Sequence, residues 1–367
     1  MRPTTINEIS NKVSFVPLLT SSKRPVPSKS YNRKHVLTHK QKKKYEKSLQ
    51  LYQVNREKYE KDARNEKITI LAYWSFVDPY MEQLSENCGS CWMTNDRNFE
   101  HAADAIIFDN TRTSTARKLH DMPDFDSRNL DSQYWIWWPR ESAAKGMNRK
   151  TIFREIKDEN NWDGCMNLTV SYRQDSDVIR PFGTIDRVLE DQPQDLHGQD
   201  LMDFILKIKT EEKHTAWMVS DCDQTSAALT RWEYANRLID EGLKLDGYGK
   251  CFNRIVNSWK GDNFLAHYKF YLAFENAFHC TDYISEKFWR NALSSLNVPI
   301  VFGPVKEDVE KVAPKGSFIF AEDFETPKDL VDYLDFLDSN DTAYLEYHKW
   351  RVEADFQHKD FIQHRNG

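Results

Sequence analysis

Between Tyr283 and Arg290 the sequence sets a ring, a carboxylate and two cations at helical spacing. Tyr283, Glu286, Lys287 and Arg290 fall at i, i+3, i+4 and i+7, which places them on one face of a helix. Ile284, Phe288, Ala292 and Leu296 recur every four residues and are expected to face the core. Asp282, a good N-cap residue, would open that helix shortly after an apolar run ending in Glu275 and Asn276. Helix N-termini favour anions through free N–H groups and the macrodipole. Lys and Arg neutralise phosphates and a carboxylate accepts hydrogen bonds from ribose hydroxyls, so a nucleoside diphosphate suits this arrangement. The same spacing also describes a solvated helix face carrying an ordinary salt bridge, which is the commoner outcome.

Two further groups sit where chemistry is possible. Arg231 lies in the helix expected after the strand Thr215–Asp221. Glu141 follows the aromatic run "QYWIWW" and the turn Pro139-Arg140. A carboxylate at the carboxyl end of a strand, facing a cleft, can act as a general base. Taken alone, an Arg on a helix or a Glu after a strand is usually just exposed to water.

The elements that must position these groups are short apolar runs separated by polar stretches. "ITILAYW" from Ile68, "ADAIIFD" (Ala103–Asp109) and "QYWIWW" (Gln133–Trp138) are strand-length and nearly continuous, as buried parallel strands are. "TAWMVSD" (Thr215–Asp221), "KFYLAFEN" (Lys269–Asn276), "VPIVFG" (Val298–Gly303) and "SFIFAEDF" (Ser317–Phe324) continue the series. Between and after them helices are expected at Thr225–Gly242, with Ala228, Trp232, Ala235, Leu238 and Ile239 as its apolar stripe, at Asp282–Leu296, near Lys328–Leu337, and at Ala343–Phe361. Strand–helix alternation implies parallel sheets with right-handed crossovers, hence an α/β protein. In open parallel sheets ligands bind beyond the carboxyl ends of the strands, where Glu275, Asn276 and Glu141 fall.

The 367 residues suit two domains of common size, and 40% hydrophobic with 13% aromatic residues is enough for real cores. The division is expected at 1–66, a basic stem or tail; 67–205, a first α/β domain; 206–345, a second; and 346–367, a terminal helix. Residues 22–67 are dense in Lys and Arg, yet the net charge is −6 and no aromatic-basic alternation marks a nucleic-acid arm, so no nucleic-acid partner is expected. No apolar run approaches the roughly 18 residues that span a bilayer. The chain is therefore expected to be soluble, with membrane attachment only through an anchor outside it.

Six cysteines (Cys88, Cys91, Cys165, Cys222, Cys251 and Cys280) permit disulfides. Cys88-Gly-Ser-Cys91 lacks a thioredoxin-like context and a second ligand pair for zinc, so a structural disulfide, within the pair or to other cysteines, is the expectation. Asn167-Leu-Thr and Asn340-Asp-Thr are N-glycosylation sequons, weak pointers to the secretory pathway.

"YKFYLAFENAFHCTDYISEKFWRNAL" (Tyr268–Leu293) followed by "VPIVFG" closely resembles the signature of the α1,3/4-fucosyltransferases, glycosyltransferase family ten. "NLTVSYRQDSDVIRPFG" (Asn167–Gly183), "MVSDCDQTS" with Arg231 downstream, "YWIWWPRES", the Cys88–Thr94 stretch before "ADAIIF", and "FIFAEDF…AYLEYHKWR" resemble other family segments in the right order. The likeness covers residues 68 to about 355. It implies a GT-B fold, two Rossmann-like domains facing a central cleft, with acceptor handled by the first and GDP-fucose by the second, and a C-terminal helix that can cross back between them. It also implies inverting transfer of L-fucose to the 3-OH of GlcNAc in an N-glycan or lactosamine-type acceptor on glycoprotein or glycolipid, in the Golgi lumen.

Residue by residue, the resemblance puts Glu141 on the proposed general base, Arg231 and Lys287 on the diphosphate, Glu286 on the ribose, and Tyr283 and Asn276 in the donor pocket. Ser220, Asp221 and Glu275 join the donor-side set, and Tyr172 and Arg173 the acceptor or interdomain set. Asp221 departs from the usual Asn or His, and a carboxylate beside phosphate is unfavourable unless protonated or turned away. Ala143 replaces a Pro after Glu141-Ser142. No cofactor is expected beyond the donor. A divalent cation could stimulate transfer, but no metal site is predicted: "SDCD" and "DSD" only superficially resemble an Asp-x-Asp motif. Two other functions fit the same residues: a GT-B transferase using another nucleotide sugar, and a non-catalytic relative that binds glycan or assists another enzyme.

Overall fold

The computed structural model describes residues 68–72, 91–109, 133–142, 166–210, 212–223, 225–256 and 263–352. The expected stem, Ala143, Cys88 and Cys165 lie outside them. Eleven strands form two parallel sheets among the described residues. The first sheet contains β1 (Ile68–Ala72), β2 (Cys91–Thr94), β3 (Ala105–Asp109), β4 (Tyr134–Trp138), β5 (Leu168–Ser171) and β6 (Val178–Ile179), in the order β2-β1-β3-β4-β5-β6. The second contains β7 (Thr215–Met218), β8 (Leu245–Tyr248), β9 (Phe270–Phe274), β10 (Val298–Phe302) and β11 (Ile319–Phe320), in the order β11-β10-β9-β7-β8.

Strand β9 shows why the sequence reads as an unbroken apolar run. All five of its residues are buried. Phe270, Leu272 and Phe274 enter one core layer, while Tyr271 and Ala273 enter the other. Successive side chains point to opposite faces, so a sheet covered on both sides needs apolar residues at every position. Strand β8 carries Asp246 and Gly247 at an edge, residue types depleted in strands, and the apolar pattern does not reveal it.

Helices α1 (Ile185–Asp191) and α2 (Gly198–Ile208) follow β6. The sequence division at residue 205 falls inside α2. Ile185 and Val188 pack with Tyr271 and Ala273, and Leu201, Met202 and Ile205 pack with Phe270 and Leu272, so both helices cover the second sheet. Helix α3 (Ser226–Asp240) is N-capped by Thr225, whose side chain accepts from Ala228 N. Its buried stripe is Ala227, Ala228, Arg231, Ala235 and Leu238; Ile239, expected in the stripe, is 39% exposed because it lies one residue past that face. Helix α4 spans Lys306–Val312, α5 Pro327–Ser339 with a capping box between Thr326 and Asp329, and α6 Asp341–Glu346.

The expected helix Ala343–Phe361 is not continuous. α6 ends at Glu346, and a 3-10 turn, Lys349–Arg351, follows. The turn is pinned because Arg351 is buried and its Nη2 donates to Leu293 O at 2.7 Å. Residues 353–367 lie outside the described residues. Cys222 and Cys251 form a disulfide that joins the loops after β7 and β8. Cys91 is disulfide-bonded as well, and Cys280 is free.

Candidate functional site

Parallel strands deliver their carboxyl ends to one edge of a sheet. In the second sheet, β8 and β9 lie on opposite sides of β7, so the winding reverses between β7 and β9. A crevice opens at such a reversal. Arg231 spans it: Nη1 donates to Phe274 O at 2.8 Å and Nη2 to Asp221 O at 2.7 Å. The guanidinium is 2% exposed, so the surface Arg suggested by its type alone is instead an interior fork. Burial pushes its pKa below the usual arginine value, and the Glu275 and Asp221 charges oppose that push. Asp221, the carboxylate that departs from the family pattern, thus lies within electrostatic reach of a cation.

Glu275 follows β9 and is 1% exposed. Its Oε1 accepts from Ser285 N at 2.7 Å, and its Oε2 accepts from Ser285 Oγ at 2.9 Å and from Lys287 Nζ at 3.0 Å. Lys287 Nζ also donates to Ser285 Oγ at 2.6 Å and to Glu286 Oε1 at 3.3 Å. Burial alone would lower the Lys287 pKa, yet Glu275 and Glu286 hold it above the ordinary lysine value. The Glu286 carboxyl is likewise held below its ordinary value by Lys287, against burial. Gly303 permits this density: it has φ +112°, and a Cβ there would lie 3.3 Å from Glu275 Cβ.

The helix expected to open at Asp282 does not. Asp282 adopts φ +59°, a left-handed conformation, so it is a turn residue rather than a cap. Its Oδ2 accepts from Gln174 N at 2.9 Å, and its own N–H donates to Asp308 Oδ2 at 3.0 Å. Tyr283 to Ser285 are non-helical, and helical structure begins at Glu286 as a π-helical stretch, Lys287–Ala292. The predicted polar face is therefore not one face. Tyr283 precedes the helix and Lys287 turns inward to Glu275, while Arg290 is exposed. The apolar expectation stands: Ile284, Phe288, Ala292 and Leu296 are all buried.

Tyr283 joins the two sheets. Its hydroxyl lies 3.3 Å from Glu141 Oε2 and 3.1 Å from Asn276 Oδ1. Glu141, at the carboxyl end of β4, is half-buried. Tyr172 packs edge-on to the Tyr283 ring with centroids 5.0 Å apart, and Phe182 does so at 5.6 Å. Asn276 is buried, and its carbonyl accepts from Thr225 Oγ1 at 3.1 Å.

The remaining expected residues are placed apart. Ser220 is exposed, and its Oγ accepts from Lys250 N at 3.3 Å. Arg173 is exposed and forked onto Asp175 at 2.7 and 2.6 Å. Asp177 braces β5 by accepting from Thr169 N at 2.8 Å, so the "DSD" run serves local structure. Asn167 Oδ1 accepts from Trp135 N at 2.8 Å, and Asn340 Oδ1 caps α6 from Ala343 N at 3.1 Å. Among the described residues, no group of three His, Cys, Asp or Glu side chains could hold a metal ion. Sequence reasoning gave no role to Ser285, Gln174 or Phe182. All three carried a signal from the resemblance: Ser285 precedes Glu286-Lys287 in the signature, and Gln174 and Phe182 lie within the family-like segment Asn167–Gly183.

Two parallel-sheet α/β units with these residues between their strand ends fit the GT-B fold. Residues 65–183 match the family model "Fucosyltransferase, N-terminal", and residues 208–366 match "Glycosyltransferase family 10 (fucosyltransferase) C-term". A bovine (Bos taurus) protein, 3-galactosyl-N-acetylglucosaminide 4-alpha-L-fucosyltransferase FUT3, is 32% identical over 77% of this chain and 71% of its own length. The human (Homo sapiens) 4-galactosyl-N-acetylglucosaminide 3-alpha-L-fucosyltransferase FUT6 is 33% identical over 77% of this chain and 72% of its own. The crystal structure of an alpha1,3-fucosyltransferase shares the fold, with a TM-score of 0.50 at 16% identity over 77% of this chain and 81% of that one. The chain belongs to the fucosyltransferases of glycosyltransferase family 10.

Proposed function

We propose that this protein transfers L-fucose from GDP-fucose to the 3-OH of a GlcNAc residue in an N-glycan or lactosamine-type acceptor, with inversion to an α1,3 linkage. Glu141 takes the proton from the acceptor hydroxyl. Arg231 and Lys287 oppose the charge of the departing diphosphate, Glu286 receives the ribose, and Tyr283 and Asn276 line the donor side. Base and diphosphate cations address the two ends of one displacement, which is what such transfer needs.

The observation that carries this reading is the 3.3 Å approach of Tyr283 to Glu141, which brings the end of β4 against the donor-side loop after β9. Relatives are named for both 4- and 3-transfer, so linkage is read from product. The Cys222–Cys251 disulfide agrees with a secretory location, for which the Golgi lumen is proposed.

The test is incubation with GDP-fucose, UDP-GlcNAc or UDP-Gal over a glycan panel, with the product linkage assigned by NMR. Glu141→Gln is expected to abolish transfer and to keep GDP binding within about twofold. Transfer from another nucleotide sugar, or GDP binding with no transfer to any glycan, would overturn the proposal.

A further inference from the structure

We infer that Tyr283 is a positioning residue for the base, holding the Glu141 carboxylate across the boundary between the two sheets. The inference rests on the reading of Glu141 as base. Glu141 lies just past β4 of the first sheet and Tyr283 in the loop that follows β9 of the second. Nothing in donor binding requires these residues to touch, yet the phenol lies 3.3 Å from the carboxylate.

Three features make the phenol a fixed donor. Its side chain is only 2% exposed, and its ring packs into a triangle with Tyr172 and Phe182, which touch each other as well as it. Burial, together with the Glu275, Glu141 and Glu286 charges, pushes its pKa well above the ordinary tyrosine value, so it keeps its proton. Its backbone is anchored on both sides, by Asp282 to Gln174 of the first sheet's loop and by Ser285 to Glu275.

The hydroxyl has one proton and two acceptors, Glu141 Oε2 and Asn276 Oδ1. A hydrogen bond to an ionised acceptor is the stronger of two such choices, so the carboxylate takes the proton when it is charged. Held in this way, the Glu141 carboxylate is fixed at its Oε2 by a group from the second sheet's side of the boundary. Tyr172, placed by the resemblance in the acceptor or interdomain set, packs edge-on against the phenol ring and holds it in place.

The test is Tyr283→Phe, which keeps the ring and removes the hydroxyl. The expected result is a fall in kcat of about tenfold, with KM for GDP-fucose and GDP affinity within about twofold of wild type. Tyr172→Leu loosens the ring cluster and is expected to lower kcat in the same sense by less, which keeps the idea testable should Tyr283→Phe fold poorly. An unchanged kcat, with loss confined to GDP affinity, would make Tyr283 a donor-pocket residue only. Failure of the base reading looks different: Glu141→Gln would itself retain transfer.

Discussion

Lys287 Nζ lies 3.0 Å from Glu275 Oε2, with both side chains buried beyond the carboxyl end of β9. Ser285 Oγ and Glu286 Oε1 receive the other ammonium hydrogens. A phosphate approaching this lysine meets a cation already bonded on three sides. Glu286, with its side chain 46% exposed, is the partner that can give way. The lysine therefore serves the fold and, on our proposal, the donor.

Lys287→Ala separates those two services. Removing one member of a buried pair leaves an uncompensated charge, so a loss of about 3 kcal/mol in urea unfolding is expected. Adding Glu275→Gln should restore part of it. GDP affinity should fall in both variants, because on our proposal Lys287 is a phosphate cation. Unchanged GDP affinity in the folded double variant would remove Lys287 from the donor site.

Arg231→Lys tests the fork at the reversal between β7 and β9. An ammonium cannot reach Phe274 O and Asp221 O together in the planar geometry that a guanidinium offers. A stability loss of about 2 kcal/mol is expected from the weakened charge-assisted hydrogen bonds, with GDP affinity reduced about tenfold. Wild-type affinity in this variant would make Arg231 a purely structural tie.

The sheets and the signature segment were legible because β9 and β10 are apolar at every position. The start of the helix after them was not. Asp282 reads as a cap from its type, but its carboxylate is used by Gln174 and its backbone turns left-handed. Four-residue spacing from Ile284 to Leu296 drifts around an α-helix of 3.6 residues per turn, whereas the wider π-helical turn at Lys287–Ala292 suits it better. Arg231 was picked out by resemblance, but charge alone could not announce its burial, since the carbonyls that its two Nη groups bond come from the ends of two different strand segments. Glu141 and Tyr283 were each nameable from the sequence, but their contact was not, because no spacing in the chain couples residues 141 and 283.

Cys222→Ser and Cys251→Ser, separately, should each cost roughly 3 kcal/mol, as expected for a cross-link closing a loop of this size. The bond spans 29 residues and ties the loop after β7, which carries Asp221, to the turn after β8. Urea unfolding of either variant checks the stability. Wild-type unfolding midpoints in both would show the link to be dispensable.

Stability should also fall in acid through His348. The ring is 1% exposed, and its Nδ1 accepts from Arg351 Nε at 3.3 Å. An arginine N–H must donate, so Nδ1 carries no proton. Burial first, then Arg351 and Lys209, pushes the His348 pKa well below the ordinary value. Above the unfolded value of about 6.5 both states are neutral at this residue, and it contributes no pH dependence. As pH falls below that, the unfolded chain gains a proton that the folded state refuses. Stability is then lost by up to about 1.4 kcal/mol per pH unit until the folded value is reached. His214, also lowered by burial against the opposing Asp338 and Asp335 charges, adds to the slope in the same window. Urea unfolding at pH 7.5, 6.5 and 5.5 should show wild type losing stability faster than His348→Gln, which keeps an acceptor for Arg351 but cannot titrate. Because His214 remains, the variant's slope should be reduced rather than abolished, and parallel curves for the two proteins would show that His348 does not control acid stability.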